Sequence, residues 1–252
     1  GAAGRRSRRR GELGGGALNL SQGKQVKAND YFSHVRRDIE PLLPEFADRE
    51  LEVGCGAGST LAWLRKNGRC GSTVGIEYAS AAAEAAREVV DEVYCGNAEA
   101  IDLGTHRFDL VLLLDVLEHL VDPWHFLERL HARHLKPGAK VIASIPNIRN
   151  YRVLKALVLR GEFRYQDAGI LDRTHLRFFT RSTAMELMTA SGLQIEAVQD
   201  VTVSKKTYRQ IDRLTAGLFH DFLVYQFLIA ARHNDPSTSN ASREKDQSLI
   251  LP

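Results

Sequence analysis

The feature that most restricts the fold is a glycine-rich turn between a short apolar segment and a helical one. The apolar segment ends at Val53, and glycines follow at positions 54, 56 and 58. Glycine allows the backbone to approach a ligand closely, and the N-terminus of the following helix offers free N–H groups. The turn therefore predicts a ligand at the carboxyl end of a β-strand in an α/β fold.

Strand-like and helix-like segments alternate along most of the chain. Alternation of this kind is typical of a parallel sheet with helices on both faces. We therefore predict a doubly wound α/β fold with a seven-stranded, mostly parallel sheet. The expected strands are Glu50–Val53, Thr73–Glu77, Glu92–Cys95, Phe108–Asp115, Lys140–Ile145, Leu193–Val201 and Leu223–Ala231.

The sequence also predicts three helices and a division of the chain into three parts. Helices are expected at Asn29–Phe46, at Ala79–Val90 and at Ser182–Ser191, where Thr183 and Glu186 have the spacing of a capping box. Residues 1–22 are expected to form a disordered basic tail, residues 23–233 one domain, and residues 234–252 a disordered polar tail. Residues 148–180 interrupt the alternation and are expected to cover an acceptor site.

Composition favours a single soluble domain. The 252 residues carry a net charge of +3. Five arginines less Glu12 give the start of the chain +4, which leaves about −1 for the remainder. This balance disfavours nucleic acid as a partner. No apolar run approaches the roughly 20 residues that a membrane span needs. Three cysteines without a CxxC pair favour the reducing cytoplasm.

Two acids indicate which ligand the glycine turn binds. Glu52 directly precedes the turn, where it would repel a pyrophosphate but would favour an ammonium or sulfonium group. Glu77 follows about 20 residues later, where a carboxylate accepts hydrogen bonds from both ribose hydroxyls. The glycines also depart from the GxGxxG spacing of NAD sites, so an NAD-dependent oxidoreductase is the alternative rather than the preferred interpretation.

Five segments in order resemble the motifs of class I S-adenosylmethionine-dependent methyltransferases, and the resemblance covers roughly residues 31–232. They are LEVGCGAGST, GIEYAS, GNAEAIDL, FDLVLLLDVLEHLVDP and LKPGAKVIASIPN. The resemblance implies a Rossmann-like sheet with an antiparallel last strand and S-adenosylmethionine as cofactor. It implies that the cofactor is bound by Glu52, Gly54, Cys55, Gly56, Glu77, Tyr78, Asn97, Ala98 and Asp115.

Four residues are candidates for the chemistry of methyl transfer. Asp115, Glu118 and His119 have the spacing of one helical face, and His175 follows in the segment DRTHLRFFT. We expect His119 or His175 to accept the proton of an acceptor hydroxyl. The pattern also resembles metal-assisted ubiquinone-pathway and small-RNA terminal O-methyltransferases, in which all four residues would bind Mg²⁺. Asp115 stands where those relatives carry glutamate. A structural role for the cluster stays open.

The acceptor is expected to be a small molecule, anionic or saccharide in character. Seven basic residues and three acidic ones lie between residues 148 and 180, and the arginines there could bind a phosphate on a nucleotide-linked or lipid-linked sugar. The same composition fits a solvated helix at Tyr151–Arg160. A sugar hydroxyl is the preferred acceptor. RNA 2′-O-methylation, quinone-type O-methylation and a non-catalytic cofactor-binding scaffold are the alternatives.

Overall fold

The computed structural model describes residues 34–202, 210, 212–215, 217 and 219–234. Within them the chain forms one seven-stranded sheet, as the sequence predicts. The strands are β1 (Ala47–Val53), β2 (Cys70–Glu77), β3 (Glu92–Cys95), β4 (Phe108–Leu114), β5 (Leu135–Pro146), β6 (Leu193–Thr202) and β7 (Val224–His233).

The strand order is β3-β2-β1-β4-β5-β7-β6. Strands β1 to β5 pair in parallel, and β7 lies antiparallel between β5 and β6. The prediction of a mostly parallel sheet with an antiparallel last strand is confirmed. The order reverses between β1 and β4, so the loops that leave their carboxyl ends diverge and open a crevice. The glycine turn, which follows β1, borders that crevice.

The described part of the chain contains five α-helices of seven or more residues and a four-residue α-helix, His220–Leu223, before β7. Apolar residues on alternate strand positions are buried on the two faces of the sheet. In β4, Val111 and Leu113 join the larger core cluster, whereas Leu110 and Leu112 join the cluster on the opposite face. This two-sided burial explains the uninterrupted apolar sequence of β4. The five longer helices are α1 (Ser59–Lys66), α2 (Ser80–Ala86), α3 (Pro123–His134), α4 (Tyr151–Arg160) and α5 (Arg181–Ala190).

The predicted helix over residues 29–46 is wrong for its described part. Residues 34–46 contain only a 3₁₀ helix, Arg37–Leu42, and residues 29–33 lie outside the described residues. Pro41 lies inside this segment and has no N–H for an α-helical hydrogen bond. The expected helix Ala79–Val90 also ends early, at Ala86, before the β-branched pair Val89 and Val90.

Helix α5 lies within one residue of its predicted bounds at each end, but its capping box is not the predicted pair Thr183 and Glu186. Its N-cap is Thr180, whose Oγ1 accepts from the Thr183 N–H, while the Thr183 Oγ1 accepts from the Thr180 N–H at 2.9 Å. Thr183 is thus the third residue of the helix and Glu186 has no part in the cap. The two expected tails, residues 1–22 and 234–252, lie outside the described residues except for Asn234. Cys55, Cys70 and Cys95 are free.

Candidate active site

The glycine turn adopts a backbone conformation that strongly favours glycine. Gly54, Gly56 and Gly58 have φ angles of 71°, 56° and 77°, in the left-handed region that costs other residues about 1–2 kcal/mol. The Gly54 and Cys55 N–H groups donate to the Ile76 carbonyl at 2.7 and 3.1 Å. The turn is therefore held against β2 at the carboxyl edge of the sheet.

Glu77 fixes the far side of this turn. One of its carboxylate oxygens accepts from the Gly56 N–H and the other from the Ala79 N–H, both at 2.8 Å. The side chain is buried at the end of β2. Glu77 thus joins the glycine turn to the start of α2 and places a carboxylate at the crevice.

Glu52 lies beneath the turn and is 4% exposed. Burial raises the pKa of Glu52 well above its ordinary value, Glu50 raises it further, and Arg36 and Thr60 lower it in part. One of its carboxylate oxygens has no hydrogen-bond partner among the described residues. A positively charged ligand group at this position would therefore gain from the Glu52 carboxylate without competing for an existing hydrogen bond.

Arg36 is a site residue that the sequence analysis missed. Its backbone N–H donates to the Thr60 Oγ1 at 3.4 Å, and its guanidinium donates to Asp38 at 3.0 Å, to Asp115 and to the Ser144 Oγ at 3.3 Å. This arginine brings a positive charge to the crevice between β1 and β4. The pair Arg36-Arg37 gave no signal of this role, because either residue could face solvent.

Asp115 occupies a left-handed turn and not the start of a helix. With a φ of 58° it is the one non-glycine residue in the described part of the chain with a positive φ. Its N–H donates to the Ser144 Oγ at 2.8 Å, and its carboxylate accepts from Ser144, Arg36 and Gln226. The expected helical face of Asp115, Glu118 and His119 is therefore wrong. Only a single 3₁₀ turn, Leu117–His119, follows.

Glu118, His119 and His175 nevertheless come together, despite their distance in sequence. Ligand atoms of the three side chains lie within 4.8 Å of one another, and the two imidazole centroids are 4.7 Å apart. The Glu118 carbonyl accepts from the Leu176 and Arg177 N–H groups at 2.8 and 3.0 Å. These hydrogen bonds attach the His175 segment to the end of β4 and so assemble the cluster.

The polar atoms of this cluster point to a ligand. Glu118 is 1% exposed, and neither carboxylate oxygen has a hydrogen-bond partner. The Nδ1 atoms of His119 and His175 lie 3.2 and 3.0 Å from the carbonyls of Thr174 and Ile170. A carbonyl can only accept, so each Nδ1 carries the proton and each Nε2 is an acceptor. Burial lowers the pKa of His175, which favours this neutral form.

The remaining predicted cofactor residues lie after β2 and β3. Tyr78 is 80% exposed at the end of β2. The Asn97 side chain accepts from the Glu99 N–H at 3.0 Å, and the Ala98 carbonyl accepts from Arg129 at 3.0 Å. These contacts shape the loop after β3, which borders the same edge of the sheet as the glycine turn.

Two cavities open beside the cluster. One, of about 570 Å³, is lined by Asp115, Glu118, His119 and His175, and we call it the acceptor cavity. The other, of about 640 Å³, lies against α4 and is lined by Arg152, Arg160 and Arg164 among others. Both are lined by Ala168, Gly169 and Tyr225. The segment after α4, which the sequence singled out, thus forms part of both walls.

The residues of the glycine turn fit S-adenosylmethionine. Three left-handed glycines leave the backbone accessible, the partnerless oxygen of Glu52 suits an ammonium or sulfonium charge, and Glu77 lies where ribose hydroxyls are bound in such folds. A model of the methyltransferase domain family matches residues 29–198, which include the glycine turn, Asp115 and the cluster. The chain belongs to the class I S-adenosylmethionine-dependent methyltransferases.

Curated relatives of this methyltransferase are O-methyltransferases by name. It is 32% identical over 121 residues to a ubiquinone biosynthesis O-methyltransferase of Bradyrhizobium diazoefficiens, and the alignment covers 46% of each chain. It is 23% identical over 163 residues to the protein of that name in Coxiella burnetii, covering 62% of this chain and 68% of the relative. The alignment thus spans about half of the first relative's length.

A solved structure shares the fold of this methyltransferase. An S-adenosylmethionine-dependent methyltransferase from Mesorhizobium loti superposes with a TM-score of 0.56 at 18% identity, covering 77% of this chain and 95% of that one. Among the residues that our structure describes, no helix has the length and apolar character that a membrane span requires.

Proposed function

We propose that this methyltransferase methylates a hydroxyl oxygen of a small acceptor bound in the acceptor cavity. The observation that carries the proposal is the buried Glu118 carboxyl group, which has no hydrogen-bond partner among the described residues and lies beside the two imidazoles, with the His175 Nε2 at 3.9 Å. Such a set of unused acceptors suits a hydroxyl donor or a cation. S-adenosylmethionine supplies a reactive methyl group on a positively charged sulfur.

The residues that would hold the cofactor surround the crevice between β1 and β4. Glu52 would favour its positive charge, and the glycine turn would allow close approach of the methionine portion. Glu77 would accept from the ribose hydroxyls, and Asn97 and Ala98 would border the adenine. The complete proposed set is Glu52, Gly54, Cys55, Gly56, Glu77, Tyr78, Asn97, Ala98 and Asp115.

The histidines supply a base for the acceptor. A hydroxyl must lose its proton as its oxygen is methylated, and a neutral imidazole Nε2 can take that proton. The His175 Nε2 lies 3.9 Å from the Glu118 carboxyl group, and His119 offers a ring nitrogen to the same cluster. Their Nδ1 contacts with backbone carbonyls fix the tautomer, so no rearrangement has to precede proton transfer.

A divalent cation is the second form of this proposal. One carboxylate and two imidazoles can bind a divalent ion and leave positions for the acceptor oxygen, which the ion would make more acidic. The structure brings together Glu118, His119 and His175, while Asp115 is engaged by Arg36 and Ser144. Mixed nitrogen and oxygen ligands favour an ion such as Mn²⁺, with Mg²⁺ as the ion that the sequence motif implies.

The acceptor class has two candidates. The names of the curated relatives favour a phenolic hydroxyl of the quinone type as the acceptor. The arginine-rich segment 148–180 favours instead a hydroxyl on a sugar that also carries an anionic group. Both are hydroxyl acceptors and both use the same cluster. The free cysteines fit our proposal of a cytoplasmic location.

Calorimetric titration with S-adenosylmethionine, S-adenosylhomocysteine and NAD, with and without Mn²⁺ or Mg²⁺, tests the proposal first. We expect micromolar binding of both adenosyl compounds and none of NAD. Transfer of labelled methyl to catechols and to sugar phosphates then identifies the acceptor. Failure of both adenosyl compounds to bind would contradict the proposal. Their binding without methyl transfer to any acceptor would favour the non-catalytic cofactor-binding scaffold, and methylation of RNA alone would replace the small acceptor.

Variants of the cluster distinguish the metal-free form of the proposal from the form with a bound cation. Glu118→Gln preserves side-chain shape but removes the negative charge. If a cation is bound, this change abolishes Mn²⁺ binding and turnover together and leaves S-adenosylhomocysteine affinity unchanged. If the histidines act alone, Glu118→Gln retains turnover while His119→Ala or His175→Ala loses it. Full turnover in all three variants would contradict the proposal.

A further inference from the structure

The cavity beside α4 lies next to the acceptor cavity but uses different chemistry. We call it the arginine pocket. It has a volume of about 640 Å³ and lies between α4 and the irregular segment that follows it. Because Ala168, Gly169 and Tyr225 line both cavities, the arginine pocket and the acceptor cavity are direct neighbours.

Positive charge in this pocket exceeds the negative charge that could balance it. Arg152, Arg160 and Arg164 line it together with one acid, Glu162. Glu162 is shared, because its carboxylate lies 3.0 Å from Arg164 and 3.9 Å from Arg160. The Arg152 guanidinium donates to the Tyr151 hydroxyl at 3.3 Å and lies over that ring, and it forms no ion pair within the described part of the chain. Two positive charges are thus left unbalanced.

Gly169 and Tyr225 lie at the boundary between the two cavities, since both residues line each of them. Gly169 has a φ of 92°, and a Cβ at this position would lie 3.2 Å from the Tyr225 hydroxyl oxygen. Tyr225 lines both cavities. Burial and Asp115 raise the pKa of its hydroxyl, and Arg152 lowers it. Tyr225 therefore lies between the negative charge near the cluster and the positive charge of the arginine pocket.

We propose that the arginine pocket binds a phosphate or diphosphate group of the acceptor while the acceptor hydroxyl lies at the cluster of Glu118, His119 and His175. The proposal rests on the proposed function and specifies its substrate class. Several guanidinium groups around one cavity match the oxygens of a phosphate with charge-assisted hydrogen bonds. A monovalent carboxylate would leave part of the positive charge unbalanced.

The phosphate could belong to a soluble ester or to a lipid headgroup. Leu157, Val158 and Leu159 on α4 are exposed beside the pocket, so arginines there could also contact an anionic membrane. Both sources offer the same phosphate chemistry. The experiment therefore includes one arm for each.

Titration with inorganic pyrophosphate tests the pocket without cofactor or acceptor. We expect saturable binding that weakens about tenfold or more in Arg152→Gln/Arg164→Gln. The matched control is Arg87→Gln/Arg133→Gln, which removes the same charge from exposed positions on α2's end and α3. The control should bind pyrophosphate like the wild type. Affinity for S-adenosylhomocysteine should be the same in all three proteins, which separates failure of the pocket from failure of the proposed function.

Flotation with phosphatidylglycerol vesicles distinguishes the lipid source. Pyrophosphate that competes with vesicle binding would place the lipid phosphate in the pocket and support the proposal. Vesicle binding that is lost in Val158→Ser, with no saturable pyrophosphate binding, would overturn it and assign the arginines to a membrane surface. Equal weakening of pyrophosphate binding in the control variant would also overturn it.

Discussion

At the scale of single residues, several acids of this molecule are deeply buried carboxyls with few partners. Glu50 is fully buried on β1, where the Cys70 thiol lies near its carboxyl group and no other group of the described residues bonds to it. Glu52 and Glu118 are also buried with partnerless oxygens. The last two border the crevice or the acceptor cavity, where a ligand can satisfy them. Glu50 lies away from both cavities, so no ligand there can offset the free-energy cost of burying its carboxyl group. That cost lowers the stability of the fold.

Glu50 should make stability depend on pH. Burial raises its pKa to about 8, from an ordinary value of 4.5. The folded state therefore retains a proton that the unfolded state releases, and the free energy of unfolding falls as pH rises between those values. Glu50→Gln should flatten this fall. Urea unfolding across that pH range checks it, with Glu84→Gln, an exposed residue of α2, as control. Parallel pH curves for wild type and Glu50→Gln would contradict the prediction.

Gly75 on β2 is required by its neighbour in the glycine turn. A Cβ at position 75 would lie 2.6 Å from the Cys55 Sγ. Gly75→Ala should displace Cys55, distort the turn and weaken S-adenosylhomocysteine binding, since overpacking of this kind costs about 1–3 kcal/mol. Cys55→Ala removes the sulfur and should restore part of the affinity in the double variant. Calorimetry on the two single variants and the double variant measures the coupling, and purely additive losses would disprove the contact.

At the scale of elements, the sequence predicted all seven strands. Burial on both faces explains the uninterrupted apolar sequence of β4, whereas β3 and β6 are only partly buried and were predicted from the alternation of strand-like and helix-like segments. The prediction failed at helix boundaries, where single residues decide. Pro41 reduced one expected helix to a 3₁₀ turn, and α5 starts at Arg181, one residue before its predicted start, with Thr180 as its N-cap. Within the site, the glycine turn could be predicted from the sequence, because closely spaced glycines directly after a strand are typical of a ligand-binding turn. The roles of Arg36 and of the left-handed Asp115 could not be predicted, since hydrogen-bond partners distant in sequence determine where these side chains lie.

The cap of α5 allows a direct test of the corrected boundary. Thr180→Ala removes the acceptor of the Thr183 N–H and should lower the free energy of unfolding by about 1 kcal/mol. Thr189→Ala is the matched control, because Thr189 lies at the other end of α5 and its hydroxyl donates only to a carbonyl of its own helix. Its loss should cost less than about 0.5 kcal/mol. Urea unfolding measures both, and equal effects would argue against the Thr180 cap.

At the scale of the whole molecule, the cofactor crevice joins parts of the chain that are distant in sequence. Arg36 comes from before β1, the glycine turn from its end, Asp115 from the end of β4 and Gln226 from β7. Hydrogen bonds between these residues cross the middle of the sheet. A ligand in the crevice would therefore contact most of the central strands and stabilise the fold as a unit.

Saturation with S-adenosylhomocysteine should raise the melting temperature accordingly. At about 100 times Kd a ligand of the folded state adds about 2.7 kcal/mol, which for a chain of this size corresponds to roughly 5–10 °C. Glu77→Gln should reduce the shift at the same concentration, because one of the two backbone N–H groups now held by the Glu77 carboxylate would lose its acceptor and the turn would loosen. Glu84→Gln on the surface of α2 should retain the full shift. Thermal unfolding scans of the three proteins measure these shifts in melting temperature. An equal shift with NAD in place of S-adenosylhomocysteine would show that the crevice does not select the adenosyl cofactor.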